Sequence, residues 1–151
     1  MTAAEILRRL RHFLLGLSLI LFVGAVIELW LVQHTQDAVQ WIAFVFCGMG
    51  GIVVVAFLLR RTRGLARLLR VCMLVVFAGG GFGIYQHVAN NIAFEREIRP
   101  AATTRELMMK GLSGANPLLA PGILSVAALL ALAAAYRHPA QGEAAEPDVL
   151  T

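Results

Sequence analysis

Polar side chains interrupt this sequence so rarely that the gaps between them predict its architecture. Four apolar stretches follow one another along the chain. Residues 13–32 are broken only by Ser18, two glycines and Glu28, and residues 41–59 contain no charge. Residues 68–89 are free of charged side chains from Val71 onward, and 117–136 complete the set. Crossing roughly 30 Å of hydrocarbon takes about 20 such residues as a helix. Lipid offers no partner to backbone N–H and C=O groups, so each stretch must satisfy its own as a helix; the strict alternation of a barrel strand is absent. The expected fold is all-α: an integral membrane bundle of four transmembrane helices. It forms one domain over 1–137 with an outer loop at 90–116, and 138–151 form a disordered tail.

Local signals refine the ends. Thr2-x-x-Glu5 has the spacing of a capping box, so the first helix begins before the membrane and runs into it. Thr103-x-x-Glu106 repeats the signature and predicts a short interfacial helix over 104–110, with Leu107, Met108 and Leu112 toward the membrane and Gly111 or Gly114 as its stop. The third helix extends past the membrane through Asn91, Phe94 and Ile98 to the stop at Pro100. Asn116 and Pro117 read as the cap and first turn of the fourth helix, inside which Pro121 should introduce a bend.

Arginine placement orients the bundle. Arg8, Arg9 and Arg11, the connection from Arg60 to Arg70, and Arg137 fall on one side, against Arg96, Arg99, Arg105 and Lys110 on the other. The positive-inside rule puts both termini in the cytoplasm of a bacterial-type inner membrane, with Trp30 and Trp41 flanking the short outer connection. The basic start resembles a signal peptide, but the apolar run exceeds 7–15 residues and no A-x-A site precedes Glu28 and Trp30, so the helix is retained.

Composition agrees. Of the 151 residues, 59% are hydrophobic and 15% charged, and the mean hydropathy is +0.75. A soluble domain of this size needs more polar surface. The net charge of +4 needs no nucleic acid as partner, because anionic headgroups and topology account for arginines at membrane edges. The expected partners are the lipid bilayer and either another membrane protein or further copies of the chain.

Small residues mark close helix contacts. Gly79-x-x-x-Gly83 in the third span and Ala127, Ala131 and Ala135 in the fourth are small-xxx-small stripes, expected to serve packing within one bundle. Cys47 and Cys72 are separated thiols inside the membrane and read as packing residues.

Candidate chemistry gathers at the outer ends of spans one and three. Glu28 lies within an apolar run, with His34 and Asp37 just beyond it. His87, Asn91 and Glu95 recur every four residues and share one face of the third helix. Ionisable groups at membrane depth are functional candidates by default. Glu28, His87, Asn91 and Glu95 therefore form a candidate ion or proton site, whose ligand types suit a divalent metal, and His34 with His87 offers a pair for haem. The competing expectation is that these residues only meet water and headgroups where the helix emerges. A carboxylate in the first of four short helices resembles the small multidrug resistance transporters, but Val26-Ile27-Glu28-Leu29-Trp30 and the long 90–116 connection depart from their plan. With no catalytic motif in the chain, the leading expectation is a non-enzymatic accessory or structural subunit without a cofactor. The alternative is a small oligomeric transporter or ion-binding protein.

Overall fold

The computed structural model describes residues 1–36, 38–116 and 118–136. Expectations for Asp37, Pro117, Arg137, His138 and the tail at 138–151 lie outside the described residues. The described residues fold into five helices: α1 (Ala3–Leu31), α2 (Trp41–Leu59), α3 (Arg63–Ile98), α4 (Thr104–Ser113) and α5 (Leu119–Ala135). Three of them, α1, α2 and α3, are long and apolar enough to cross a membrane, which marks the chain as a membrane protein. The fourth apolar helix, α5, has 17 residues and is about 26 Å long, slightly less than a hydrocarbon core of roughly 30 Å.

The helix ends follow from local chemistry. Thr2 and Glu5 form the expected capping box, each side chain accepting from the other's backbone N–H. At its far end α1 closes through Gln33, whose φ of 53° is left-handed. Gln33 N–H donates to Trp30 C=O and His34 N–H to Leu29 C=O, the paired bonds of a Schellman stop made here without glycine. The third helix starts at Arg63, five residues before the predicted 68, because the Thr62 hydroxyl accepts the Leu65 N–H at 3.2 Å. The predicted Arg60–Arg70 connection shrinks to a turn at 60–62. At the other end α3 continues to Ile98 and stops just before Pro100, as its pattern predicts.

One expectation about the last helix needs correction, and another loses its basis. It begins at Leu119, and no side chain caps it; Asn116 is engaged elsewhere. Pro121 accordingly falls in the first turn, where backbone N–H groups have no intrahelical acceptor, so the missing donor gives no reason for a bend.

Packing places α5 against both α1 and α3, while α2 also touches both and barely meets α5. Phe22, Phe57, Leu69, Met73 and Val76 fill the interior, against Ala127, Ala128, Ala131 and Ala134 of α5. Alanines keep that face flat, so the neighbouring backbones come close. The buried Ser18 hydroxyl uses the closeness and donates to Ala127 C=O at 2.8 Å, so a polar group in an apolar span is satisfied.

The Gly79-x-x-x-Gly83 stripe is not one contact. A Cβ on Gly79 would strike the Phe46 ring of α2, whereas one on Gly83 would lie 2.9 Å from Pro121 Cβ of α5. Gly80, between them, faces Ser125 and the Pro121 carbonyl. Cys47 and Cys72 are buried, unpaired thiols.

Charge divides the molecule end from end. Arg11 donates to Tyr136 C=O at 3.1 Å and Arg61 meets His12, which joins the start of α1, the 60–62 turn and the end of α5. Around this arginine end stand Arg8, Arg9, Arg11, Arg60, Arg61, Arg63, Arg67 and Arg70, with Glu5 as the one acidic residue among the described neighbours in sequence. At the opposite end, Arg96, Arg99, Arg105 and Lys110 are matched by Glu28, Glu95, Glu97 and Glu106.

Candidate functional site

The opposite end is organised by Asn91. Its α3 register turns it toward the returning chain, where it is 3% exposed. Its Nδ2 donates to Gly111 C=O and to Asn116 C=O, both at 3.1 Å. Its Oδ1 accepts from Asn116 N–H at 2.9 Å and from Asn116 Nδ2 at 3.1 Å. An asparagine amide has two N–H donors and two acceptor lone pairs, so its capacity is filled. No lone pair remains for a metal ion. Asn91 is a clamp that ties both ends of the 111–116 segment to α3.

Glycines make the clamp reachable. Gly111 and Leu107 lie four residues apart on the buried face of α4. A Cβ on Gly111 would fall 2.9 Å from Ile92 Cγ1 and 3.3 Å from Val88 Cγ1, and one on Gly114 would collide with the Asn91 side chain. Thus α4 folds back along α3 as one arm of a hairpin. Leu107, predicted to face the membrane, is buried instead, while Met108, Met109 and Leu112 remain exposed. The helix extends to Ser113 and ends at Gly114, three residues beyond the predicted Lys110. Thr103 and Glu106 form the second capping box. Hydrogen bonds from the Thr103 hydroxyl and backbone hold the Glu106 carboxyl below its usual range, with Arg99 adding to the effect.

The remaining candidates have separate partners. Glu95 is buried one turn beyond Asn91, and its carboxylate pairs with Arg99 of the next turn. Glu28 is exposed on α1. Across the described residues, no three His, Cys, Asp or Glu side chains are grouped to hold a metal ion. Asn91 and Glu95 thus share a buried strip of α3, and among the described residues Glu28, His87 and Glu95 are not grouped around one point.

The two histidines do meet electrostatically. The Schellman turn brings His34 back toward α3, and its pKa is lowered first by burial and then by His87. Its cation is disfavoured in the folded protein, so the unfolded chain binds more protons below the ordinary value near 6.5. The stabilisation is full above that value and is lost as the pH falls from there toward the depressed folded value. Melting in detergent from pH 8 down to pH 5 should show a falling Tm that His34→Gln flattens; an unchanged slope would remove His34 as its cause.

Asn116, Gly111, Gly114 and Arg99 complete the site and were not candidates from sequence. A glycine four residues after a leucine within a capped amphipathic helix was the available signal for Gly111. The chain matches no family model, and no curated protein or solved structure is detectably similar to it.

Proposed function

We propose that this chain is a small inner-membrane protein of bacterial type, a bundle of four transmembrane helices with both termini cytoplasmic. We infer that it is a non-enzymatic accessory or structural subunit of a membrane assembly. The α3–α4 hairpin carries the proposal. With the arginine end at the cytoplasmic surface, as the positive-inside bias favours, about 20 residues of α3 from Val71 fill the hydrocarbon. Its remaining turns, to Ile98, stand with α4 among the headgroups and beyond them. Asn91 holds this projection rigid, yet it exposes Phe94 and Ile98 on α3 and Met108, Met109 and Leu112 on α4. Methionine and aromatic side chains are enriched where proteins meet. A fixed scaffold presenting such residues is suited to docking another membrane protein or a further copy of the chain.

Replacing Met108, Met109 and Leu112 together by serine should dissociate the assembly on native gels in mild detergent. The fold itself should lose less than about 1 kcal/mol, since the three side chains are exposed. Unchanged migration of the triple variant would refute the docking role. Topology has its own check. Thr104→Cys should react with a membrane-impermeant maleimide in intact cells, against a background in which Cys47 and Cys72 are buried. Labelling only after the inner face is opened would reverse the orientation.

The second reading, a small oligomeric transporter or ion-binding protein using Glu28 and the His87 face, draws support from the electrostatic coupling of His34 with His87. Divalent-metal content of the purified protein separates the two readings.

A further inference from the structure

Between α1 and α2 an open apolar groove of about 530 Å³ runs along Leu19, Phe22 and Val26 on one wall and Gly48, Ile52 and Ala56 on the other. Its size lies within the roughly 300–1,000 Å³ of ligand sites. On α2 its lining extends from Cys47 to Leu59, about 18 Å at 1.5 Å per residue. One leaflet contributes roughly 15 Å to the hydrocarbon core, so the groove is about one leaflet deep. It ends at the arginine end. Leu59 is followed by Arg60 and Arg61, and Arg61 meets His12 Nε2, so the α1 turn carrying Arg8 and His12 stands beside the mouth. The other ring nitrogen of His12 donates to Arg8 C=O at 2.7 Å, leaving Nε2 to accept from Arg61.

Charge selects the occupant. A second copy seated here would share the insertion direction, and its own arginines would come to lie on the same side of the membrane as these. Like charges brought within a Debye length of about 8 Å repel. A phosphodiester headgroup has the complementary sign and sits where the arginines are. We propose that this groove binds one anionic phospholipid of the leaflet at the arginine end. One acyl chain lies along α1 and α2, and the phosphate rests at the mouth against Arg60 and Arg61. The inference rests on the arginine end meeting a bilayer surface and is independent of the partner proposed for α4.

The full-length protein in mild detergent, offered phosphatidylglycerol or phosphatidylcholine with identical chains, tests it by native mass spectrometry and thermal melting. Phosphatidylglycerol should be retained preferentially as a single adduct and raise Tm, while inorganic phosphate alone leaves Tm unchanged. Arg60→Gln should cut the preference about fivefold. Gly48→Leu fills the groove where a Cβ meets nothing within 4 Å, so the variant should fold and lose the adduct. Gly81→Leu, at an equally open position on α3, should keep it. Equal retention of both lipids, a Tm rise with phosphate alone, or Gly81→Leu acting like Gly48→Leu would overturn the site. A dimer that Gly48→Leu dissolves would assign the groove to a second copy and overturn it too. Lost lipid selectivity together with outside labelling at Thr104 would refute the lipid site and leave the topology standing.

Discussion

Asn91→Ala is expected to free α4 from α3 while the apolar interior keeps its packing. The substitution removes four hydrogen bonds at once, and three of the partners are backbone groups that cannot follow it. Gly111 C=O, Asn116 C=O and Asn116 N–H are left beside a small void. A buried polar group without a partner costs about 1–3 kcal/mol, and water entering from the headgroup side recovers part of that. A net loss of about 3–5 kcal/mol is expected for the α4 segment. Hydrogen exchange over 104–116 should accelerate strongly, with α1 and α2 unchanged, because local opening does not require the interior to separate. Asn91→Asp sharpens the test. It keeps the acceptor for Asn116 but sets a carboxylate oxygen against the Gly111 and Asn116 carbonyls, so its exchange should be at least as fast as in Asn91→Ala. Wild-type protection in Asn91→Ala would mean that Leu107 and Gly111 hold α4 without the clamp.

How much of this was readable beforehand depended on the range of the interaction. Features set within one helical turn could be read: the two capping boxes, and the length of α3 up to Pro100, follow from neighbours in sequence. Features set by which helix lies opposite could not. His87, Asn91 and Glu95 do share a face, but periodicity cannot say that Asn116 fills the capacity of Asn91; the pairing of Glu95 with Arg99, four residues on along the same helix, lay within its reach. Both facts turn apparent ligands into structural residues. The start of α5 was misread for a related reason: Asn116 has the side chain of a cap, and a tertiary partner outcompetes the helix for it. Glu28 differs again, since an apolar run with one carboxylate looks the same whether that carboxylate faces the interior or, as here, the outside.

The glycine run of α3 shows that limit most directly, and it supports the second large effect. Gly79, Gly80 and Gly81 are equivalent in sequence, yet they face three environments. A Cβ at Gly79 meets the end of the Phe46 ring, which can turn aside. At Gly81 it meets nothing within 4 Å. At Gly80 it would lie 2.9 Å from Pro121 C=O and 3.2 Å from Ser125 N, and collide with Ser125 Oγ. Backbone cannot rotate away, so α5 as a whole must move from α3, disturbing its alanine face and the Ser18 bond to Ala127 on its other side. Gly80→Ala should therefore cost about 1–3 kcal/mol, with Gly80→Leu at or beyond the upper end. Gly79→Ala should cost less. Gly81→Ala should gain up to about 1 kcal/mol, because alanine favours the helix where nothing opposes it. Thermal melts in one detergent, followed by tryptophan fluorescence, give the ranking. A double variant identifies what the new methyl meets: Ser125→Ala removes the hydroxyl but leaves the backbone, so it should rescue Gly80→Ala only in part. Full rescue would mean that the hydroxyl alone sets the α3–α5 distance, and a Gly81→Ala loss equal to that of Gly80→Ala would mean that the two helices do not meet through Gly80 at all.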